Sequence, residues 1–147
     1  MNINTTWKEH IAPESKLFND KTVIVRVDWN MPITDGVISD TSRFDVTVPF
    51  LKELSFCGAK IVILTHFGEK GESLQIIADH ITKALPFIAF VPLTDFGALA
   101  QVSRTIERGQ GMLLENVRMW DGETENNPEL AKSFASLGEV FINDAFS

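Results

Sequence analysis

The chain has 147 residues, 44% of them hydrophobic and 22% charged, which is one domain's worth of chain with enough apolar mass for a real core. Its formal net charge is −7, from 13 lysines and arginines against 20 aspartates and glutamates. That balance repels nucleic acid and anionic membrane over most of the surface, so any anionic ligand must be held by a local cluster of donors. One cysteine, Cys57, excludes an internal disulfide, and no Cys/His cluster has zinc spacing, so no metal site is expected. The apolar runs fall far short of a membrane span and the N-terminus lacks a basic-then-apolar signal pattern. A soluble, cytoplasmic protein is expected.

Strand-like runs alternate with helical patterns along the chain. The first strand is Thr22–Val27. Residues 31–40 follow, and their centre, Thr34-Asp35-Gly36, reads as a turn joining two short extended pieces. A helical pattern then carries Val46, Phe50, Leu54 and Cys57. Pro49 lies inside it and predicts a kink or a late start, and Cys57 on its apolar stripe reads as a small core residue. The second strand is 60–65. The second helix begins near Ser73 as N-cap and carries Leu74, Ile77, Ala78, Ile81 and Leu85. The third strand is 86–91. The third helix runs over 94–108, with Gly109 to close it. The fourth strand is Gly111–Leu114. The fourth helix starts at Asn127 with Pro128 in the favoured first position, carries Leu130, Phe134 and Leu137, and closes at Gly138. The fifth strand is 139–142. Most of the strands are continuous apolar runs, as strands buried on both faces are. The fold class expected is therefore α/β: a doubly wound, mostly parallel sheet with helices on both faces, a Rossmann-like three-layer arrangement.

Open parallel sheets bind ligands beyond the carboxyl ends of their strands. That rule selects Asp28 and Asn30 after the first strand, and His66, Phe67, Gly68, Glu69 and Lys70 after the second. It adds Glu115, Asn116 and Arg118 after the fourth, and Asn143 and Asp144 after the fifth. Arg43, near the start of the first helix, can point at the same edge. The set suits a small polar, anionic ligand. Each member also has a plain structural reading. Asp28 and Asn30 serve equally as turn formers, His66 as a core or turn histidine, Arg118 as half of a surface ion pair, and Asn143-Asp144 as a cap. His10 and His80 read as structural or surface residues, and the acidic stretch 121–125 as a solvated loop. Neither G-x-x-x-x-G-K-[ST] nor G-x-G-x-x-G after the first strand occurs, so the chain announces no nucleotide site of its own.

Taken in order, several segments resemble one family. Val25-Arg26-Val27-Asp28-Trp29-Asn30-Met31-Pro32 resembles the phosphoglycerate kinase signature VRVDFNVP. Asp40-Thr41-Ser42-Arg43 is similar to its D-x-x-R helix start. Gly58-Ala59-Lys60 followed by Thr65-His66-Phe67-Gly68 resembles its GAK strand and SHLGRP. Glu115-Asn116-Val117-Arg118 matches ENVR, and residues 137–146 resemble LGDVYVNDAF. The resemblance implies an N-terminal domain that binds 3-phosphoglycerate on a basic patch, a C-terminal domain that binds Mg-ATP, and closure between them for phosphoryl transfer. By motif, Asp28 and Asn30 contact the hydroxyl and carboxylate end of the substrate. Arg43 holds the carboxylate end and stabilises the transferring phosphoryl group as the catalytic residue. His66 and Arg118 hold the substrate's own phosphate.

The resemblance fails at one rim position: where SHLGRP supplies a phosphate-binding arginine, this chain has Glu69 followed by Lys70. A carboxylate there is expected to weaken substrate binding unless it turns into solvent, and Lys70 is a possible partial substitute. Residues 1–147 are expected to be a single, truncated substrate-binding domain without the nucleotide-binding domain, inactive by itself, needing no cofactor alone and prone to self-association, whereas the full enzyme is expected to be monomeric. Two other readings stay open: a non-catalytic remnant binding a small acid or a protein partner, and a nucleotide-binding α/β module of another class.

Overall fold

Strand β1 (Thr22–Val27) sits inside the sheet and shows why the apolar runs do not alternate. The computed structural model describes residues 17–145, so His10 and Phe146 lie outside the described residues. In β1, Val23, Val25 and Val27 belong to one apolar cluster and Ile24 to a second, on the opposite face. Successive side chains in a strand point to opposite faces, so a strand buried on both must be apolar at consecutive positions.

β1 is followed by the hairpin of β2 (Ile33–Thr34) and β3 (Val37–Ile38), which pair antiparallel. Its turn is made by Asp35 and Gly36, both at positive φ, 52° and 77°, as a tight two-residue hairpin requires. The expected first helix is two helices. α1 is a single turn (Ser42–Asp45) and α2 spans Val48–Phe56 with its proline at the start. Pro49 lacks an N–H and suits a first turn, so it divides the pattern, and Val46 is 75% exposed rather than on the apolar stripe. Cys57 ends α2 and packs, partly buried, against the first cluster.

β4 (Lys60–Leu64) leads to α3 (Gln75–Ala84), then β5 (Ile88–Val91), α4 (Phe96–Thr105) and β6 (Gly111–Leu114). A 3₁₀ turn at Val117–Met119 precedes α5 (Pro128–Ala135) and β7 (Val140–Asp144). The third strand therefore starts two residues later than its apolar run. The third helix stops short of Gly109, because Ile106 is already extended. The fifth strand runs through Asn143 and Asp144 instead of ending before them. Asp95 and Asn127 cap α4 and α5, accepting from Ala98 N at 2.8 Å and from Glu129 N and Leu130 N at 2.9 and 3.1 Å.

The main sheet has five strands in the order β5-β6-β4-β1-β7, every pairing parallel. One face is covered by Leu51 and Leu54 of α2 and by Ile77 and Ile81 of α3. The other is covered by Leu99 of α4 and, partly buried, Phe134 of α5. Each fully buried Val, Leu or Ile contributes about 1.5–3 kcal/mol relative to exposure. The α/β expectation with helices on both faces holds. His80 lies edge-to-face on Phe44, 5.3 Å between ring centres, which is a packing role. No described helix is long and apolar enough to cross a membrane.

Gly111 opens β6 where the neighbouring strands close in: a Cβ there would lie 2.5 Å from Ile61 O and 2.8 Å from Ile88 Cδ1. Gly111→Ala is therefore expected to lower stability by about 1–3 kcal/mol in urea unfolding, the usual cost of overpacking a core. A loss under about 0.5 kcal/mol would show that β4 and β5 yield easily there.

Candidate functional site

β1 and β4 deliver two loops to the same sheet edge, and β6 supplies the residues that lock them together. Asn116, directly after β6, is fully buried. Its Oδ1 accepts from Phe67 N at 3.1 Å and Arg118 N at 3.2 Å, and its Nδ2 donates to Phe67 O at 2.6 Å and Glu72 O at 2.7 Å. Glu115 is also buried, and its carboxylate accepts from Leu74 N, Ser73 Oγ and Asn116 N, each at 2.7 Å. It thereby satisfies the N-terminal end of α3, with Ser73 Oγ also accepting from Gln75 N at 3.1 Å. Read from sequence as rim groups, Glu115 and Asn116 instead hold the rim in place.

Trp29 anchors the β1 loop. Its indole is fully buried and donates to Thr47 Oγ1 at 2.8 Å, while its backbone N donates to Thr65 Oγ1 at 2.9 Å. The alternating residues Asp28 and Asn30 are left at the edge. Asn30 Oδ1 accepts from Gly68 N at 2.9 Å, joining the β1 loop to the β4 loop. Gly68 has φ of 49°, and the Glu72 carboxylate fills the space beside it, with Oε1 only 2.5 Å from where a Cβ would stand.

Asp28, Asn30, Arg43, His66 and Arg118 come together at this edge. Arg43 Nη1 donates to Asp28 Oδ2 at 2.5 Å. His66 Nε2 lies 3.9 Å from Asp28 Oδ1, and Arg118 Nη1 donates to Gly68 O. Asn143 and Asp144 do not join them as loop residues: they close β7, where Asn143 Oδ1 accepts from Ala145 N at 3.2 Å and burial pushes the Asp144 carboxyl above its ordinary value. Glu69 is 89% exposed, yet its Oε2 reaches 3.8 Å from Arg118 Nη1. Lys70 pairs with Asp121, both side chains exposed.

Two charged members were missed in the sequence. Arg26 lies inside β1, so a rule that looks past strand ends skips it. Its Nη2 donates at 3.2 Å to Glu123, from the stretch expected to be solvated, and both side chains are mostly buried. Burial lowers the Arg26 guanidinium from its ordinary value while Glu123 and Asp28 oppose that shift. Arginine still stays charged at neutral pH. Burial likewise holds the His66 imidazole below the ordinary histidine value. Asp28 pulls it up, and Arg118 and Arg26 push it down.

Chemically, the edge gathers three guanidiniums, an imidazole and an amide, with the carboxylates of Asp28, Glu69 and Glu123 among them, groups able to hydrogen-bond carboxylate or phosphate oxygens. The family model described as phosphoglycerate kinase matches residues 14–147. The chain belongs to the phosphoglycerate kinase family. It is 45% identical over 134 residues to the phosphoglycerate kinase of Rhodospirillum centenum, a match covering 86% of this chain and 34% of that protein. It is 41% identical over 138 residues to that of Desulforapulum autotrophicum, covering 88% and 35%. The solved phosphoglycerate kinase from Coxiella burnetii superposes with a TM-score of 0.74 at 32% identity, covering 88% of this chain and 33% of that one. The one from Pyrococcus horikoshii gives 0.76 at 29% identity, covering 88% and 35%. The chain thus spans about a third of the length of these relatives.

Because His66 is held below the unfolded value of about 6.5, the unfolded chain binds its proton first as pH falls. Its contribution to stability is present above that value and is lost as pH drops through it toward the folded value. Urea midpoints measured from about pH 7.5 to about pH 5.5 are expected to fall more in the wild type than in His66→Asn. Parallel profiles would show that His66 titrates as it does in the unfolded chain.

Proposed function

We propose that this chain is the 3-phosphoglycerate-holding, N-terminal part of a cytoplasmic phosphoglycerate kinase, which moves a phosphoryl group between ATP and the substrate carboxylate. The observation that carries the reading is the meeting of Asp28, Asn30, Arg43, His66 and Arg118 at one sheet edge, from elements far apart in sequence. His66 and Arg118 take the substrate phosphate. Arg43, aimed by Asp28, takes the carboxylate end and lies where charge develops as the phosphoryl group transfers. Asp28 and Asn30 take the hydroxyl and carboxylate end. Phosphoryl transfer depends on positioning and on preorganised charge, and fixed guanidiniums supply both.

No group of three or more His, Cys, Asp or Glu among the described residues could hold a metal ion, and the sequence has no glycine-rich phosphate loop. In this reading the nucleotide is held by another part of the protein, and the 147-residue chain alone turns nothing over.

Glu69 sets how well the substrate binds. A ligand phosphate on Arg118 must share it with, or displace, a carboxylate 3.8 Å away. The exposed pair itself is weak, but a bound dianion feels the carboxylate's repulsion. Calorimetric titration of 3-phosphoglycerate is expected to give measurable binding, with ATP giving none. Glu69→Arg removes the repulsion and adds a charge-assisted donor, worth roughly 1.5–3 kcal/mol, and so is expected to tighten binding about tenfold or more. ATP binding without 3-phosphoglycerate binding would overturn the proposal.

A further inference from the structure

Glu123 and Asp121 belong to one acidic loop, yet only one of them faces solvent. The Asp121 side chain is 91% exposed and that of Glu123 only 20%. The loop's own geometry turns Glu123 inward. Gly122 has φ of 87° and Asn126 φ of 54°. The N–H groups of Glu125 and Asn127 both donate to Gly122 O, at 3.2 and 3.1 Å. The Asn127 side chain presses where a Cβ on Gly122 would stand while it caps α5. Residue 123 is therefore pinned between the start of α5 and the end of β1.

Arg26 meets it there, 3.2 Å from Nη2 to Oε1. The two share the neighbourhood of Asp28, His66 and Arg118, all of which interact electrostatically with one or both of them. A largely buried guanidinium keeps its charge and needs a hydrogen-bonded counter-ion. The other carboxylate acting on Arg26, Asp28, is already held by Arg43 at 2.5 Å. The aim of Arg26 consequently depends on Glu123.

We propose that Glu123 is a positioning residue of the anion site: its carboxylate fixes the Arg26 guanidinium beside His66 and Arg118, where Arg26 serves as a further donor to the bound anion. The proposal rests on the reading of this edge as an anion site. It also makes a prediction opposite in sign to simple charge counting. Deleting a negative charge near a bound anion should tighten binding by Coulomb's law alone. Releasing a positioned guanidinium should weaken it.

The test uses the 147-residue chain with Glu123→Ala, Glu123→Gln, Arg26→Ala and the Arg26→Ala/Glu123→Ala double variant. 3-Phosphoglycerate affinity is read by calorimetry, and the Arg26 Nη2–H resonance by ¹⁵N NMR without ligand. Glu123→Ala is expected to weaken binding about tenfold. Glu123→Gln, which keeps an acceptor but no charge, should recover part of that loss, and the Arg26→Ala background should cancel the effect. The Arg26 resonance, protected from solvent exchange in the wild type, should lose its protection in Glu123→Ala. Tighter binding in both Glu123 variants, or the same loss with and without Arg26, overturns the proposal. An Arg26 resonance unchanged in Glu123→Gln and Glu123→Ala also overturns it, even if one variant is too unstable to titrate. If the wild-type chain binds no 3-phosphoglycerate, the anion-site reading fails, while the resonance still decides whether Glu123 holds Arg26.

Discussion

The candidate site depends on two adjacent buried polar side chains, Glu115 and Asn116. The loop after β4 has no strand ladder to hold it, and its shape comes from the hydrogen bonds Asn116 makes to Phe67 and Glu72. Glu115 does the same for the start of α3. A buried polar group left without a partner costs about 1–3 kcal/mol, so such a hub is stable only when every member is satisfied. Among the described residues no buried side-chain nitrogen or oxygen lacks a partner. The hub fixes the backbone around His66 and Gly68, and Arg118 leaves it one residue past Val117, so the rim is placed by groups that themselves face no ligand.

The second constraint is charge. The chain is acidic overall, at −7, and the edge gathers Arg26, Arg43 and Arg118 against that field. Each is matched by a carboxylate: Glu123 at 3.2 Å, Asp28 at 2.5 Å and Glu69 at 3.8 Å. These three pairs differ in kind. Glu123 is partly buried and turned inward, and Asp28 orients Arg43. Glu69 is exposed and loosely placed, so it is the one that a ligand can move.

The sheet was legible in the sequence because strands buried on both faces must be apolar at consecutive positions, as Val23, Ile24 and Val25 of β1 and the whole of Gly111–Leu114 are. Helix boundaries were legible where a side chain enforces them: Asn127 with Pro128 marked the start of α5 correctly. They were less so where tertiary contact decides. Ser73 looked like a cap, but it works jointly with Glu115, forty-two residues away in the chain. Of the site, Asp28, Asn30, Arg43, His66 and Arg118 were found from strand ends and motifs, and the structure brings them together. Arg26 and Glu123 were not, because one lies within a strand and the other in a loop whose inward turn is set by positive-φ residues that composition does not reveal.

The central claim is that the polar edge built on Asn116 receives a carboxylate- and phosphate-bearing anion. Amide chemical-shift mapping with 3-phosphoglycerate tests it most directly. The account predicts the largest shifts at residues 26, 28–30, 43, 66–69 and 118, with little change at Leu130, Phe134 and Phe141, the apolar wall of a groove of about 430 Å³ that Arg26 and Glu123 line on its polar side. Shifts concentrated on that apolar wall, or spread without regard to the edge, would contradict it.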